Sequence, residues 1–308
     1  MIVTHNSAVE IDNCLFALAE MAPRMTTIVV DNASTDTTVQ RVLGHAGVRL
    51  IQNQTNRGFA AAVNQGASEA PEASCVLILN PDARLLTPME SVIEAACQHG
   101  LAAGRLIGED GKTQTGFTVR RFPTPVALAL ELFGINRLWP SNTVNRRYRY
   151  LDRDLSQPGF VEQPAGAFLA VRRDAWQQLG GMDEGFHPVW FEDVDLCKRA
   201  KEAGFEISYV PSVMAEHTGG HSVGNIPAAS RAVYWYVSLL KYAAKHFRAI
   251  HYRGICAAVM LSSIPRAVAG MIDARSVTPL VTYARIFWAA GRFLASRQKT
   301  LRPHAGSI

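Results

Sequence analysis

Three carboxylates, Glu192, Asp193 and Asp195, fall within four positions directly after Trp190 and Phe191, in the stretch "PVWFEDVDLCKRAKEAGF" (188–205). Helix chemistry accounts for part of this. Asp193 can act as an N-cap, acids suit the positive start of a helix, and Lys198, Arg199 and Lys201 suit its end before Gly204. It does not account for two large aromatics in front of the acids. The chemistry this combination suits is a general base held beside a pocket, with an electrophile supplied from elsewhere in the chain.

Four other constellations are candidates to complete such a site. "VVDNASTDTT" (29–38) ends an apolar run on Asp31, Asn32 and Ser34. It reads equally as a turn with a helix cap or as a carboxylate and an amide meeting the imide edge of a pyrimidine base. In "NRGFAAAVNQG" (56–66), Asn56, Arg57 and Gly58 precede a helix of small residues. Gly58 permits close backbone approach there, and the helix start with Arg57 favours an anion such as a diphosphate. In "LILNPDARL" (77–85), Asn80-Pro81-Asp82 follows a fully apolar run. An aspartate in a rigid turn is commonly just a turn residue. It is also what a hard cation, Mg2+ or Mn2+, takes alongside phosphate oxygens and water. In "AEHTGGHS" (215–222), His217 is a candidate to complete a metal shell, whereas His221 is read as structural or exposed.

These stretches must be positioned by the elements between them. Apolar β-rich runs, "MIVT", "TTIVVD", "VRLIQ" and "CVLILN", alternate with helical patterns over 8–20, 36–44, 58–69 and 88–98. That alternation predicts an α/β fold whose mainly parallel central sheet carries helices on both faces, with ligands at the carboxyl ends of the strands. "IGEDGKTQTG" predicts a hairpin turning at Asp110-Gly111. The polar, arginine-rich stretch 137–159 predicts a mobile loop. Further on, "GAFLAVRR" reads as a strand, "DAWQQLGG" as a short helix, and "FEISYVP" and "VMAEHTGG" as two more strands. After about residue 228 the pattern is purely helical. Its most apolar run, Gly254 to Pro265, lies between Arg253 and Arg266 and is read as too short to span a bilayer. The expected division is therefore a catalytic domain over 1–227 and a basic, apolar helical region over 228–308.

Composition narrows the partners. A chain of 308 residues with 48% hydrophobic content can bury a large core. Its five cysteines (Cys14, Cys75, Cys97, Cys197, Cys256) are scattered without a C-x-x-C pair. That favours reduced thiols in a cytoplasmic setting over a disulfide framework. No basic segment precedes "MIVTHN", so no signal peptide is read, and the natural start is expected upstream. The net charge of +5 is unevenly placed: from Arg231 onward twelve Lys or Arg stand against one acid, Asp273 (net +11), whereas the first 230 residues carry 19 basic and 25 acidic groups (net −6). An acidic body with a basic, apolar tail suits an enzyme beside an anionic membrane, and suits nucleic acid less. A serine nucleophile elbow, a Walker lysine loop and a G-x-G-x-x-G turn after the first strand are all lacking, which disfavours a P-loop kinase and a standard dinucleotide dehydrogenase.

Taken in order, "IVTHNS", "VVDNASTD", "NRGFAAAVNQG", "LILNPDA", "GAFLAVRRDAW", "GGMDEGFHPVWFEDVDLCKRAKEAGF" and "EHTGGHS" resemble the family 2 inverting glycosyltransferases, and among them the bacterial rhamnosyltransferase branch. The resemblance covers roughly residues 2 to 225. It implies a GT-A fold, a nucleotide-sugar donor (dTDP- or UDP-linked) and a divalent metal. By position it implies that Thr4, Asp31, Asn56 and Arg57 line the nucleoside, that Asp82 binds metal, that Asp193 is the base, and that His217 touches metal or diphosphate. The family's D-x-D is reduced here to Asn80-Pro81-Asp82, which weakens the expectation of metal dependence. On this reading Trp190 and Phe191 form the apolar wall for a sugar face, and Glu192 orients the acceptor. A single displacement by the acceptor hydroxyl then needs one base and one charge-neutralising cation.

The leading expectation is thus an inverting transferase using dTDP-L-rhamnose or a similar donor. Its acceptor would be lipid-linked or a growing polysaccharide, at the inner face of the cytoplasmic membrane. The alternative is a non-catalytic sugar-nucleotide-binding subunit of an assembly complex. A nucleotidyltransferase is disfavoured, because "MIVTHNSAVE" offers no lysine-rich phosphate loop.

Overall fold

The structure, a computed structural model, describes residues 1–219, 224 and 226–295. His221 and the last basic residues, Arg297, Lys299 and Arg302, lie outside them. The chain forms two compact units, one of residues 1–122 and 146–226 and one of residues 123–145 and 227–308.

In the first unit, strands β1 (Ile2–Thr4), β2 (Thr27–Asp31), β3 (Val48–Gln52) and β4 (Cys75–Leu79) alternate with helices α1 (Ile11–Met21), α2 (Thr38–Leu43) and α3 (Phe59–Ser68). β5 (Ala83–Leu85), α4 (Glu90–His99), β6 (Gly100–Ile107) and β7 (Val119–Arg120) follow. The expected βαβ grammar therefore holds, each helix beginning and ending within a few residues of its apolar pattern. The strands order as β3-β2-β1-β4-β10-β6-β11-β5 in one nine-stranded sheet, in which β8 (Gly159–Phe160) pairs with β11. The β3-β2-β1-β4 half is parallel. β10 (Phe168–Arg172) enters antiparallel between β4 and β6, and β11 (Glu206–His217) runs parallel to β6. A separate two-stranded ribbon joins β7 to β9 (Gln163–Pro164).

Strand alternation divides the core into two layers. Ile2, Val29, Leu77 and Leu79 face α1 and α4 through Ile11, Leu15, Leu18 and Val92. Val3, Val30, Val76 and Ile78 face the opposite layer, built by α3 with α8 (Arg173–Leu179) and α9 (Glu192–Glu202) through Ala62, Val63, Ala175 and Leu196. Burial on both faces is what a parallel sheet requires and what the unbroken apolar strands announce.

Three local expectations change. The two strands read at "FEISYVP" and "VMAEHTGG" are one strand, β11, whose register against β6 shifts between Val210 and Met214. Pro211 cannot donate to a ladder, so the chain bulges past it instead of ending. The stretch 137–159 is not a free loop. It carries the end of α6 (Ile135–Leu138) and all of α7 (Thr143–Tyr148), buries Tyr150 and Leu155, and pairs Asp152 with Arg121 at 2.9 Å. The turn at Asp110-Gly111 forms as expected, with Gly111 at φ +71° and Gly108 N–H donating to Lys112 at 2.9 Å.

The second unit is helical: α5 (Pro125–Leu132) and α6, then α10 (Ala228–His246), α11 (Ala249–Ala274) and α12 (Thr278–Ala295). Thr124 caps α5, accepting from Ala127 N–H at 3.1 Å ahead of Pro125, a good first helical residue. Arg266 on α11 donates to the carbonyls of Glu131 and Leu132 that end α5. One face of α11 (Ile255, Cys256, Val259, Ala267) is buried, whereas Leu261, Ile264, Val268 and Ile272 are exposed at helical spacing. The apolar run extends beyond Pro265, which lies inside the helix, so α11 as a whole is long and apolar enough to cross a membrane.

Candidate active site

The carboxyl ends of β1 and β2 are stitched together. In register across the sheet, Thr4 Oγ1 donates to Asp31 Oδ1 at 2.9 Å, Ser34 N–H donates to Oδ2 at 2.9 Å, and the Ser34 hydroxyl adds a third bond. Asn32 is more heavily committed. Its amide nitrogen donates to Asn56 Oδ1 and to the Gly58 carbonyl, both at 3.1 Å, and its oxygen accepts from Asn53 Nδ2 at 3.2 Å and Arg57 N–H at 3.1 Å. With every hydrogen-bonding position used, Asn32 is a clasp between loops, not an edge offered to a base.

The start of α3 is likewise occupied. Gly58 N–H donates to Asn56 Oδ1 at 2.9 Å and Phe59 N–H to the Pro188 carbonyl at 2.8 Å. The first two amides at the helix start are thus taken by protein groups. Gly58 serves a different need: at φ +85° its missing Cβ leaves room for His187 and Pro188, atoms of which would stand 2.8 and 3.1 Å away. The anion-favouring group left on this loop is the exposed Arg57 guanidinium, which has no side-chain partner among the described residues.

Asp82 follows Asn80-Pro81 in the turn from β4 into β5, closed by Ala83 N–H donating to the Asn80 carbonyl at 3.1 Å. The antiparallel β5–β11 register sets His217 opposite Ala83. This brings two residues 135 positions apart together, with His217 Nε2 3.4 Å from Asp82 Oδ1 and both side chains almost completely buried. Among the described residues Nε2 has no hydrogen-bond partner. On the other edge of the ring, Nδ1 lies 3.0 Å from Gln114 Oε1, while Gln114 Nε2 donates to the His217 carbonyl at 2.6 Å. Phe117 stacks on the imidazole, ring centroids 5.1 Å apart.

An orphaned buried nitrogen facing a carboxylate oxygen fits a cation seat. Among the described residues no group of three His, Cys, Asp or Glu could hold a metal. A hard cation between these two side chains would need its remaining ligands from outside the protein, such as phosphate oxygens and water.

The acidic stretch forms α9, and its entry is unusual. Trp190 and Phe191 take φ values of +79° and +71°, a left-handed pair that costs about 1–2 kcal/mol per residue outside glycine. The helix begins at Glu192 with Phe191 in the N-cap position, so Asp193 is a first-turn residue and not the cap. Asp193 is half-buried. Its Oδ2 accepts from Gly166 N–H at 2.9 Å and its Oδ1 from Val194 N–H at 2.7 Å, with Gln163 Nε2 at 3.5 Å. Burial raises its pKa, and the Gly166 and Val194 bonds partly offset that rise. Glu192 is buried with Oε2 unpartnered, and burial followed by the neighbouring Asp193 charge pushes its pKa well above the usual range. It is thus not placed to orient an acceptor. Asp195 is fully buried and pairs with Arg199 at 2.7 Å, a helix acid as expected. Phe191 is also buried, so of the two aromatics only the half-exposed Trp190 can wall a sugar.

One short path joins the two halves of the site. Asp193 is bonded to Gly166; the next residue, Ala167, accepts from Asn80 N–H at 3.0 Å; and Asn80 lies two residues before Asp82. Both acids therefore stand at the same edge of the sheet, where β4 ends and β10 begins. Gly166, Gln163, Gln114 and Phe117 carry no motif that singles them out in sequence; only the glycine of "PAGAF" immediately before a strand hinted at a close approach.

The glycosyl transferase family 2 model matches residues 1–179, and a model described as N-terminal domain of galactosyltransferase matches 153–220. The chain is 29% identical over 264 residues to the N-acetylglucosaminyl-diphospho-decaprenol L-rhamnosyltransferase of Mycobacterium tuberculosis strain H37Rv, covering 79% of this chain and 83% of the relative. It is 26% identical over 230 residues to the rhamnosyltransferase WbbL of Escherichia coli K12, covering 71% and 81%. Among solved structures, a GalNAc-T7 crystal structure with UDP, GalNAc and Mn2+ aligns with TM-score 0.54 at 15% identity. That alignment takes in 79% of this chain but only 49% of the GalNAc-T7 chain, so it speaks to the fold alone.

Proposed function

Since the chain belongs to glycosyl transferase family 2 and is a rhamnosyltransferase-like glycosyltransferase, we propose that it transfers L-rhamnose, or a closely similar sugar, from a dTDP-linked donor with inversion at the anomeric carbon. The acceptor is proposed to be a lipid-linked or growing polysaccharide hydroxyl. The mycobacterial relative, an N-acetylglucosaminyl-diphospho-decaprenol L-rhamnosyltransferase, supports the choice of sugar and of a lipid-linked acceptor.

The observation that carries the reading is the common sheet edge shared by Asp193 and the Asp82–His217 pair. Asp193 would take the acceptor hydroxyl proton as the oxygen attacks. A carboxylate of raised proton affinity is the better base for that step, and the Gly166 and Val194 N–H groups hold its two oxygens in place. Arg57, exposed beside the nucleoside loops, would pair with the donor diphosphate. When bound between Asp82 and His217, a divalent cation would neutralise charge on the departing diphosphate. Thr4 and Asp31 would shape the nucleoside floor, with spare acceptor capacity on Asp31 Oδ2.

The catalytic region is proposed to span 1–227. The basic helical region, with its exposed Leu261, Ile264, Val268 and Ile272 and its exposed Arg253, Arg275 and Arg285, would rest on an anionic membrane at the cytoplasmic face. The test of the enzymatic reading is Asp193→Asn, assayed for transfer and separately for donor affinity. Lost transfer with retained affinity supports a base, and unchanged transfer overturns it.

A further inference from the structure

We infer that Gln114 is a positioning residue, which locks His217 as the Nδ1–H tautomer and so turns the Nε2 lone pair toward Asp82. The inference rests on the proposed cation seat, but its core is a statement about protons in the protein alone.

Gln114 makes two contacts with one residue: its amide faces the His217 backbone carbonyl at 2.6 Å and the His217 ring nitrogen Nδ1 at 3.0 Å. A carbonyl can only accept, so the group 2.6 Å from it must be the Gln114 NH2. Rotating the amide by half a turn would press two acceptor oxygens together. The Gln114 oxygen is therefore the atom facing Nδ1, and Nδ1 must carry hydrogen to meet it. In a neutral imidazole that leaves Nε2 unprotonated. Nε2 is buried, has no hydrogen-bond partner among the described residues, and lies 3.4 Å from a carboxylate oxygen. Two acceptors facing each other in a buried site repel, and a cation between them converts the repulsion into ligation. Phe117, stacked on the ring, restricts the remaining freedom, which is rotation of the imidazole about its own bond.

Gln114 is distant from His217 in sequence and comes from the turn after β6, where Gln114 N–H also donates to the Leu106 carbonyl at 3.0 Å. The turn that begins at Asp110-Gly111 thus acquires a role: it delivers an amide to the back of a metal-ligand candidate.

The test is a histidine nitrogen spectrum of metal-free, 15N-labelled protein at mildly alkaline pH, with the His217 signals identified by their loss in His217→Gln. Expected is an Nδ1–H, unprotonated-Nε2 pattern in the wild type, lost in Gln114→Leu. Manganese affinity, read by electron paramagnetic resonance, is expected to fall about 10–100-fold in Gln114→Leu, the usual cost of losing an outer-shell partner. A hydrogen on Nε2 in the wild type, or an unchanged tautomer in a folded Gln114→Leu, overturns the inference. A wild type with the expected tautomer that binds no Mn2+ supports the tautomer assignment and overturns the cation reading of the Asp82–His217 pair.

Discussion

The backbone N–H of Gly166 donates to Asp193 Oδ2 at 2.9 Å, and a Cβ placed at 166 would stand only 3.0 Å from the Asp193 Cβ. A glycine is needed here for distance, and the residue it admits is the candidate base. Gly166→Ala should push Asp193 away from the cleft while leaving the fold in place. The expected result is a kcat lowered at least about tenfold, with an overpacking cost of about 1–3 kcal/mol in stability. Steady-state kinetics and thermal unfolding of the same variant check the two parts.

Because Asp193 must be ionised to accept a proton, its raised pKa has a kinetic signature. Activity falls as pH drops through that value, so the acidic limb of kcat/KM should lie above the usual aspartate range. Asp193→Asn should lower kcat by about 10²–10⁴-fold, the span ascribed to general-base catalysis, with donor affinity retained. A pH–rate profile with no acidic limb above that range would speak against this assignment.

Glu192 makes the opposite prediction. A carboxyl held more tightly protonated in the fold than in the unfolded chain gives stability that is full at low pH and is lost as pH rises toward its folded value. Replacing it by Gln removes that loss. Glu192→Gln should therefore unfold at a higher temperature than wild type near neutral pH, by about 2–4 °C per kcal/mol recovered, with a flatter dependence on pH. Transfer should persist, since the side chain is buried away from an acceptor.

Removing the divalent cation with a chelator should abolish most transfer, and Mn2+ or Mg2+ should restore it. Asp82→Asn and His217→Ala should each erase the stabilisation by Mn2+ plus nucleoside diphosphate seen in thermal-shift assays of the wild type. Retention of that shift in both variants would place the ion elsewhere.

Sedimentation with anionic vesicles tests the helical unit. Wild type should bind at low salt and be released as salt screens the basic residues. Leu261→Glu with Ile264→Glu should weaken binding severalfold without changing transfer to a soluble acceptor.

What could be read from the chain follows the range over which the physics acts. Periodicity fixed β1 to β4 and their helices, because alternation and turn residues are local signals. The Asp82–His217 meeting was foreseeable only as two separate candidates, since it depends on β5 folding back along β11. Phe191 shows the limit from the other side: its place beside the acids suggested a wall, yet its left-handed backbone turns it into the core. Gln114 and Gly166 act through contacts 103 and 27 positions long, and no local pattern encodes such contacts.

The Asn32 clasp has a consequence for how a donor enters. One side chain fastens the ends of β2 and β3 to the approach to α3, and leaves none of its own hydrogen bonds to be exchanged for water. Loosening any of these segments would strand buried polar groups on the others, so they should swing together or stay still. On the proposed function, a nucleotide would thus meet a preassembled wall, and discrimination among bases would fall to side chains at its rim.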